Sequence, residues 1–148
     1  MTLVVPFDGS KLAEAALVRA TAFGNVFDED VLAVSVIPKG NTRYAREQRW
    51  LEQDEEFDME SVISTLHVQV TGLCPSADFQ HEVVGRYASS GSIAKRVRKV
   101  ARKEDASMVF LGSENAGKLV TAVSSVGSTV ATDEAYDVVI VRDRKPAK

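Results

Sequence analysis

The sequence is poor in the residues that build metal sites, disulfides and catalytic sets. It has one cysteine, Cys74, and only two histidines, His67 and His81, among 148 residues. A single cysteine excludes an intramolecular disulfide, and one thiol with two distant imidazoles gives no zinc-ligand spacing. The same shortage leaves no Ser-His-Asp or Cys-His set for nucleophilic or acid–base chemistry. We therefore expect no catalytic residues and no metal site.

Long apolar runs and a strong excess of one charge are also missing. No apolar run has the length needed to cross a bilayer, and the amino terminus enters a strand without a basic region or cleavage-site pattern. We therefore expect a cytoplasmic protein without a membrane partner. A net charge of −3 argues against nucleic acid as the main partner. The basic face of a helix near residues 93–103 leaves open either a solvated surface or an acidic partner.

The length and composition suit one domain. A chain of 148 residues with 45% apolar content has enough material for a single core. We expect a single domain over residues 1–148, with an ordered core over 1–141 and a polar tail over 142–148.

Apolar patterning predicts alternating strands and helices. Short apolar runs, rich in β-branched residues, predict strands over 3–5, 31–37, 79–84, 107–111 and 138–141. Apolar residues at helical spacing predict a helix capped by Ser10 and stopped at Gly24, two more over 62–73 and 93–103, and a short one from about Ser128. Residues 41–57 have no sustained period, so we interpret them as an excursion. Within it, three alternatives stay open for Trp50 and Leu51: they cover a ligand, belong to an exposed arm or contact a partner.

This alternation is typical of an α/β fold: an open parallel sheet with helices on both faces. Ligands of such sheets bind at the carboxyl ends of the strands, where the strand order reverses. The loops at 6–10 and from Gly112 onward are the best-equipped candidates to meet there. Because glycine and helix N-termini both favour anions, Gly112, Gly117, Gly127, Ser128 and Thr129 suggest a phosphate cradle. The alternative is that these residues have a structural role alone, because glycine and serine are also common in tight turns and helix caps.

Two segments resemble the universal stress protein family. They are Val5-Pro6-Phe7-Asp8-Gly9-Ser10 before an alanine-rich helix, and the cradle, in which Gly117, nine residues and Gly127-Ser128 follow the family pattern. Four residues separate Gly112 from Gly117, where the nucleotide-binding members have two. The resemblance covers nearly the whole chain and implies a five-stranded sheet of order 3-2-1-4-5. It also implies a homodimer formed through the last strand, 138–141.

The resemblance further implies an ATP site, with Mg²⁺ as an accompanying ion left open. Asp8 and the backbone around Pro6 and Phe7 would contact the adenosine, with Val36 lining the adenine slot and Leu111 and Gly112 flanking the ribose. The phosphates would be held by Gly117, Lys118, Gly127, Ser128 and Thr129.

Two alternatives stay open beside an ATP-binding regulatory protein. One is an interaction scaffold of the same fold with an empty pocket, as some family members are. The other is a P-loop enzyme, because Gly112 to Lys118 fits the pattern G-x-x-x-x-G-K. That pattern needs serine or threonine after the lysine to hold Mg²⁺, and Leu119 stands there. Any ATP turnover is therefore expected to be slow.

Overall fold

A parallel five-stranded sheet forms the centre of the structure, a computed structural model that describes residues 1–113 and 136–142. The strands are β1 (Thr2–Pro6), β2 (Asp30–Pro38), β3 (Asp78–Val84), β4 (Ala106–Gly112) and β5 (Asp137–Val141). The helices are α1 (Lys11–Phe27), α2 (Thr42–Glu47), α3 (Met59–Leu73) and α4 (Ser90–Lys103). Every pairing is parallel and the strand order is β3-β2-β1-β4-β5, which confirms the predicted sheet.

Helices cover both faces of the sheet because alternate side chains of the central strands point to opposite sides. Leu3 and Val5 of β1 are fully buried against residues of α1 and α3. Val4 is buried on the other face against α4, where Val97 and Val100 pack. A strand that is buried on both sides needs the nearly continuous apolar run that predicted it.

Helix α1 begins as predicted and ends later than predicted. The Ser10 side chain accepts a hydrogen bond from the N–H of Ala13, so Ser10 is the N-cap. The helix continues past Gly24 to Phe27 and ends at Asp28, whose φ of 53° is left-handed. Gly24 therefore is not the stop. A Cβ there would lie 2.6 Å from the backbone oxygen of Glu29, so the glycine lets the chain turn back closely against the helix.

The segment 41–57 is part of the packed structure. It contains α2, which Asn41 caps by accepting from the N–H of Tyr44. Trp50 and Leu51 are each only 6% exposed and belong to the core that includes α1 and α3. The alternative of an exposed arm is therefore wrong for these two residues. Six helical residues are too few to show an apolar period, so apolar periodicity did not reveal α2.

Cys74 and His67 have ordinary surroundings. Cys74 is a buried free thiol, and His67 is exposed and stacks on Phe79 at 4.9 Å between ring centroids. Within residues 1–113 and 136–142, no group of three or more His, Cys, Asp or Glu side chains could hold a metal. In the same part of the chain, no helix combines the length and apolar character needed to span a bilayer.

Candidate functional site

A cavity of about 240 Å³ opens at the carboxyl ends of β1, β2 and β4. Its position follows from the topology: β1 pairs with β2 on one side and with β4 on the other, so the strand order reverses between β1 and β4. The described lining residues are Pro6, Phe7, Asp8, Val34, Val36, Tyr44, Gln48, Ala88, Ser90, Ile93, Val97, Leu111 and Gly112. The lining is mostly apolar and carries few polar side chains, which is the usual make-up of a small-molecule site.

The end of β1 is tied to β2 by the backbone of Phe7. Its N–H donates to the Val34 oxygen at 2.7 Å, and its oxygen accepts from the buried hydroxyl of Ser35 at 2.6 Å. These two bonds engage the Phe7 N–H and one lone pair of its oxygen. The next residue in this loop, Asp8, is the one charged residue among the described residues that line the cavity.

The loop after Asp8 is held from three directions. The Asp8 carboxylate accepts from the N–H of Ser10 at 2.9 Å, and the Asp8 carbonyl accepts from the indole N–H of Trp50 at 2.8 Å. The next carbonyl, that of Gly9, accepts from the amide of Gln69 at 2.9 Å. Gly9 has a left-handed φ of 83°, which favours glycine. The position of Asp8 thus depends on residues far along the chain.

Helix α2 contributes Tyr44 and Gln48, which lie one turn apart and both line the cavity. The Tyr44 ring packs edge-on against Trp50 at 5.5 Å. Burial, and after it the nearby carboxylates of Asp8 and Glu47, raises the pKa of Tyr44 to about 12. The hydroxyl therefore stays protonated at neutral pH and is available as a hydrogen-bond donor.

Helix α4 forms the opposite wall. Ser89 caps it, and Ile93 and Val97 line the cavity from its first two turns. The basic residues occupy the remaining surface of the helix, where Arg96 pairs with Glu82 of β3 at 3.6 Å. Part of the basic face is thus used within the fold, and for the rest both alternatives, a solvated surface and an acidic partner, stay open.

Six of the predicted site residues line this one cavity: Pro6, Phe7, Asp8, Val36, Leu111 and Gly112. The short helix predicted from about Ser128 lies outside the described residues. The predicted phosphate-holding residues also lie outside them: Gly117, Lys118, Gly127, Ser128 and Thr129.

The sequence interpretation missed the walls supplied by α2 and α4, above all Tyr44 and Gln48. Asn41 three residues before Tyr44 is a capping signal that could have revealed α2. The i, i+4 spacing of Tyr44 and Gln48 would then have placed both on one face.

Comparison with known proteins assigns the chain to a family. The sequence profile described as the Universal stress protein family matches residues 1–142, so the chain belongs to that family. Comparison with curated protein sequences gives no match.

Solved structures show the same fold at low sequence identity. A universal stress protein in complex with cAMP is 19% identical, with a TM-score of 0.60 and 96% of both chains covered. A universal stress protein from Archaeoglobus fulgidus in complex with dAMP is 16% identical, with a TM-score of 0.53 and 94% of both chains covered. A family member from Burkholderia pseudomallei is also 16% identical, with a TM-score of 0.54, covering 95% of this chain and 94% of its own.

Proposed function

We propose that this chain binds an adenine nucleotide, with ATP as the expected ligand, and works as a regulatory or sensor protein of the stress response. The observation that carries the proposal is the cavity at the strand switch point, whose described lining includes Asp8 of the β1 loop, Val36 of β2, and Leu111 and Gly112 of β4. Family members of the same fold have been solved with cAMP and dAMP, which supports an adenine nucleotide as the ligand.

The lining divides the work of binding between apolar and charged groups. In the proposal, Val36 lines the slot for the adenine base, and Leu111 and Gly112 flank the ribose. The Asp8 carboxylate accepts hydrogen bonds from the ribose hydroxyls. The phosphates are assigned to the backbone amides and hydroxyls of the glycine-rich segment 117–129. We place this activity in the cytoplasm, in keeping with a sole cysteine that is a free thiol.

Calorimetry of ATP with the wild type and with Asp8→Asn tests the proposal. Asparagine keeps an oxygen for the Ser10 N–H but removes the charge, so we expect the affinity for ATP to fall about tenfold or more. Asp54→Asn, a change at an exposed carboxylate outside the cavity, should leave the affinity unchanged. Equal binding by Asp8→Asn and the wild type would contradict the role of Asp8.

Two more variants separate the remaining alternatives. If backbone amides hold the phosphates, Gly127→Val should abolish binding, whereas Lys118→Ala should have a small effect because the charge interaction of a single lysine is screened by salt. The P-loop alternative expects the reverse, with Lys118→Ala severe and Asp8→Asn nearly silent. The scaffold alternative expects no ATP binding by the wild type. Circular dichroism of each variant checks that it is folded.

We further propose that the protein forms a homodimer through β5. This strand is at one edge of the sheet, and its Ile140 side chain is 43% exposed. Proteins usually protect an apolar edge strand, because an open edge can pair with another chain. A two-fold pairing of β5 with its copy would satisfy edge backbone groups and bury Ile140 and its apolar neighbours together.

Light scattering at micromolar concentration tests this assembly. We expect a dimer for the wild type and a monomer for Ile140→Lys, because a lysine at the interface would be desolvated without a partner. Val83→Lys is the matched control, since Val83 is 38% exposed on β3 at the opposite edge. A monomeric wild type, or a dimer that survives Ile140→Lys, would rule the assembly out.

A further inference from the structure

The end of α2 places a glutamine, Gln48, in the lining of the cavity. Gln48 is the C-cap of α2 and lines the cavity beside Tyr44. Of the described lining residues, Gln48 alone carries an amide side chain, and within the described part of the chain that amide has no hydrogen-bond partner. An amide offers a donor and an acceptor side by side in one plane. A bound molecule can therefore be recognised here at two adjacent atoms.

The backbone at Gln48 is fixed by the turn that ends α2. Arg49 has a left-handed φ of 61°, and the N–H of Trp50 donates to the Ala45 oxygen at 2.8 Å. A left-handed arginine is unfavourable, so this turn persists because its neighbours hold it. Trp50 does so: it is buried, and its indole donates to the Asp8 carbonyl at 2.8 Å. Gln48 is therefore held in place relative to the loop that carries Asp8.

The amide matches one edge of adenine. At that edge the exocyclic N6 amino group donates and the adjacent N7 accepts, which complements the oxygen and nitrogen of a glutamine amide. Guanine presents two acceptors, O6 and N7, at the same edge, so neither orientation of the amide satisfies both. We propose that Gln48 recognises the N6–N7 edge of the base and selects adenine over guanine nucleotides. This inference rests on the proposed function, since it names the residue that gives that site its base specificity.

Replacement of single atoms tests the inference. In 7-deaza-ATP a carbon replaces N7, so the ligand keeps its shape and loses that acceptor. We expect the wild type to bind ATP about tenfold more tightly than 7-deaza-ATP, and more tightly than GTP, in calorimetric titrations. Gln48→Leu should weaken ATP binding about tenfold and should bind ATP and 7-deaza-ATP equally. Gln53→Leu, at an exposed glutamine outside the cavity, should keep the wild-type values.

The outcomes separate this inference from the proposed function. Wild-type protein that binds ATP and 7-deaza-ATP equally overturns the inference and leaves the proposed function standing. If Gln48→Leu still prefers ATP over 7-deaza-ATP, a group other than Gln48 recognises N7, and the inference is also overturned. Wild-type protein that binds none of the three nucleotides overturns both. The comparison of ATP with 7-deaza-ATP on the wild type needs no variant, so it holds even if Gln48→Leu folds poorly.

Discussion

Replacing Trp50 with alanine is expected to lower the free energy of unfolding by about 3–5 kcal/mol. The side chain is 6% exposed, packs in the core with α1 and α3, and contacts the ring of Tyr44. Alanine would leave a cavity and would also leave the Asp8 carbonyl without its indole donor. Trp50 is the sole tryptophan, so denaturant unfolding of the variant should be followed by circular dichroism.

Trp50→Phe separates packing from hydrogen bonding. Phenylalanine keeps an aromatic ring in the core and removes the N–H donor, so we expect a loss of about 1–2 kcal/mol. If Trp50→Ala cost less than about 1 kcal/mol, Trp50 would not be part of the core. The segment 41–57 would then be the exposed arm that its charged sequence suggests.

The strands were the most predictable part of the fold. Residues 3–5, 31–37 and 107–111 are almost wholly apolar because β1, β2 and β4 are buried on both faces. Their order was not predictable from these patterns, since parallel strands of similar composition carry no signal of which neighbours they pair with. The order followed from the resemblance to the family.

The end of α1 shows why a correct local rule gave a wrong boundary. Glycine after an apolar helical stretch usually marks a C-terminus, and Gly24 fitted that pattern. In the structure, Gly24 is required because the backbone of Glu29 passes so close that a Cβ would not fit. The left-handed residue that ends the helix is Asp28. Sequence alone does not distinguish a glycine needed for its φ from a glycine needed for its size.

The candidate site was predictable where it depends on strand ends and was missed where it depends on distant contacts. Asp8 and Gly112 follow apolar runs directly, so the topology brings them together. Tyr44 and Gln48 are positioned through Trp50, whose indole reaches the Asp8 carbonyl across 42 residues of sequence. A periodic pattern within 41–57 reflects local structure alone, so it could not predict such a contact.

Gly112 is expected to be essential for stability even without a nucleotide. It ends β4 where α1 crosses, and a Cβ there would lie 2.9 Å from Leu12 Cβ and 3.3 Å from the Leu12 carbonyl carbon. The backbone of α1 cannot yield as a flexible side chain would, so the helix must shift from the sheet. We expect Gly112→Ala to cost about 1–3 kcal/mol and Gly112→Val to cost about 3 kcal/mol or more, measured by denaturant unfolding of nucleotide-free protein.

Gly85→Ala is the matched control for this close contact. A Cβ at Gly85 meets nothing within 4 Å, so the change should be nearly neutral or should stabilise the protein by up to about 1 kcal/mol.

The family resemblance assigns Gly112 to the ribose. If contact with the ribose were its sole role, substitution of Gly112 would weaken nucleotide binding and leave the apo protein as stable as the wild type. Because α1 also begins at the Asp8 loop, displacement of the helix should lower the stability of the apo protein and weaken nucleotide binding together. Wild-type stability of nucleotide-free Gly112→Val would show that α1 does not pack against β4 as closely as described.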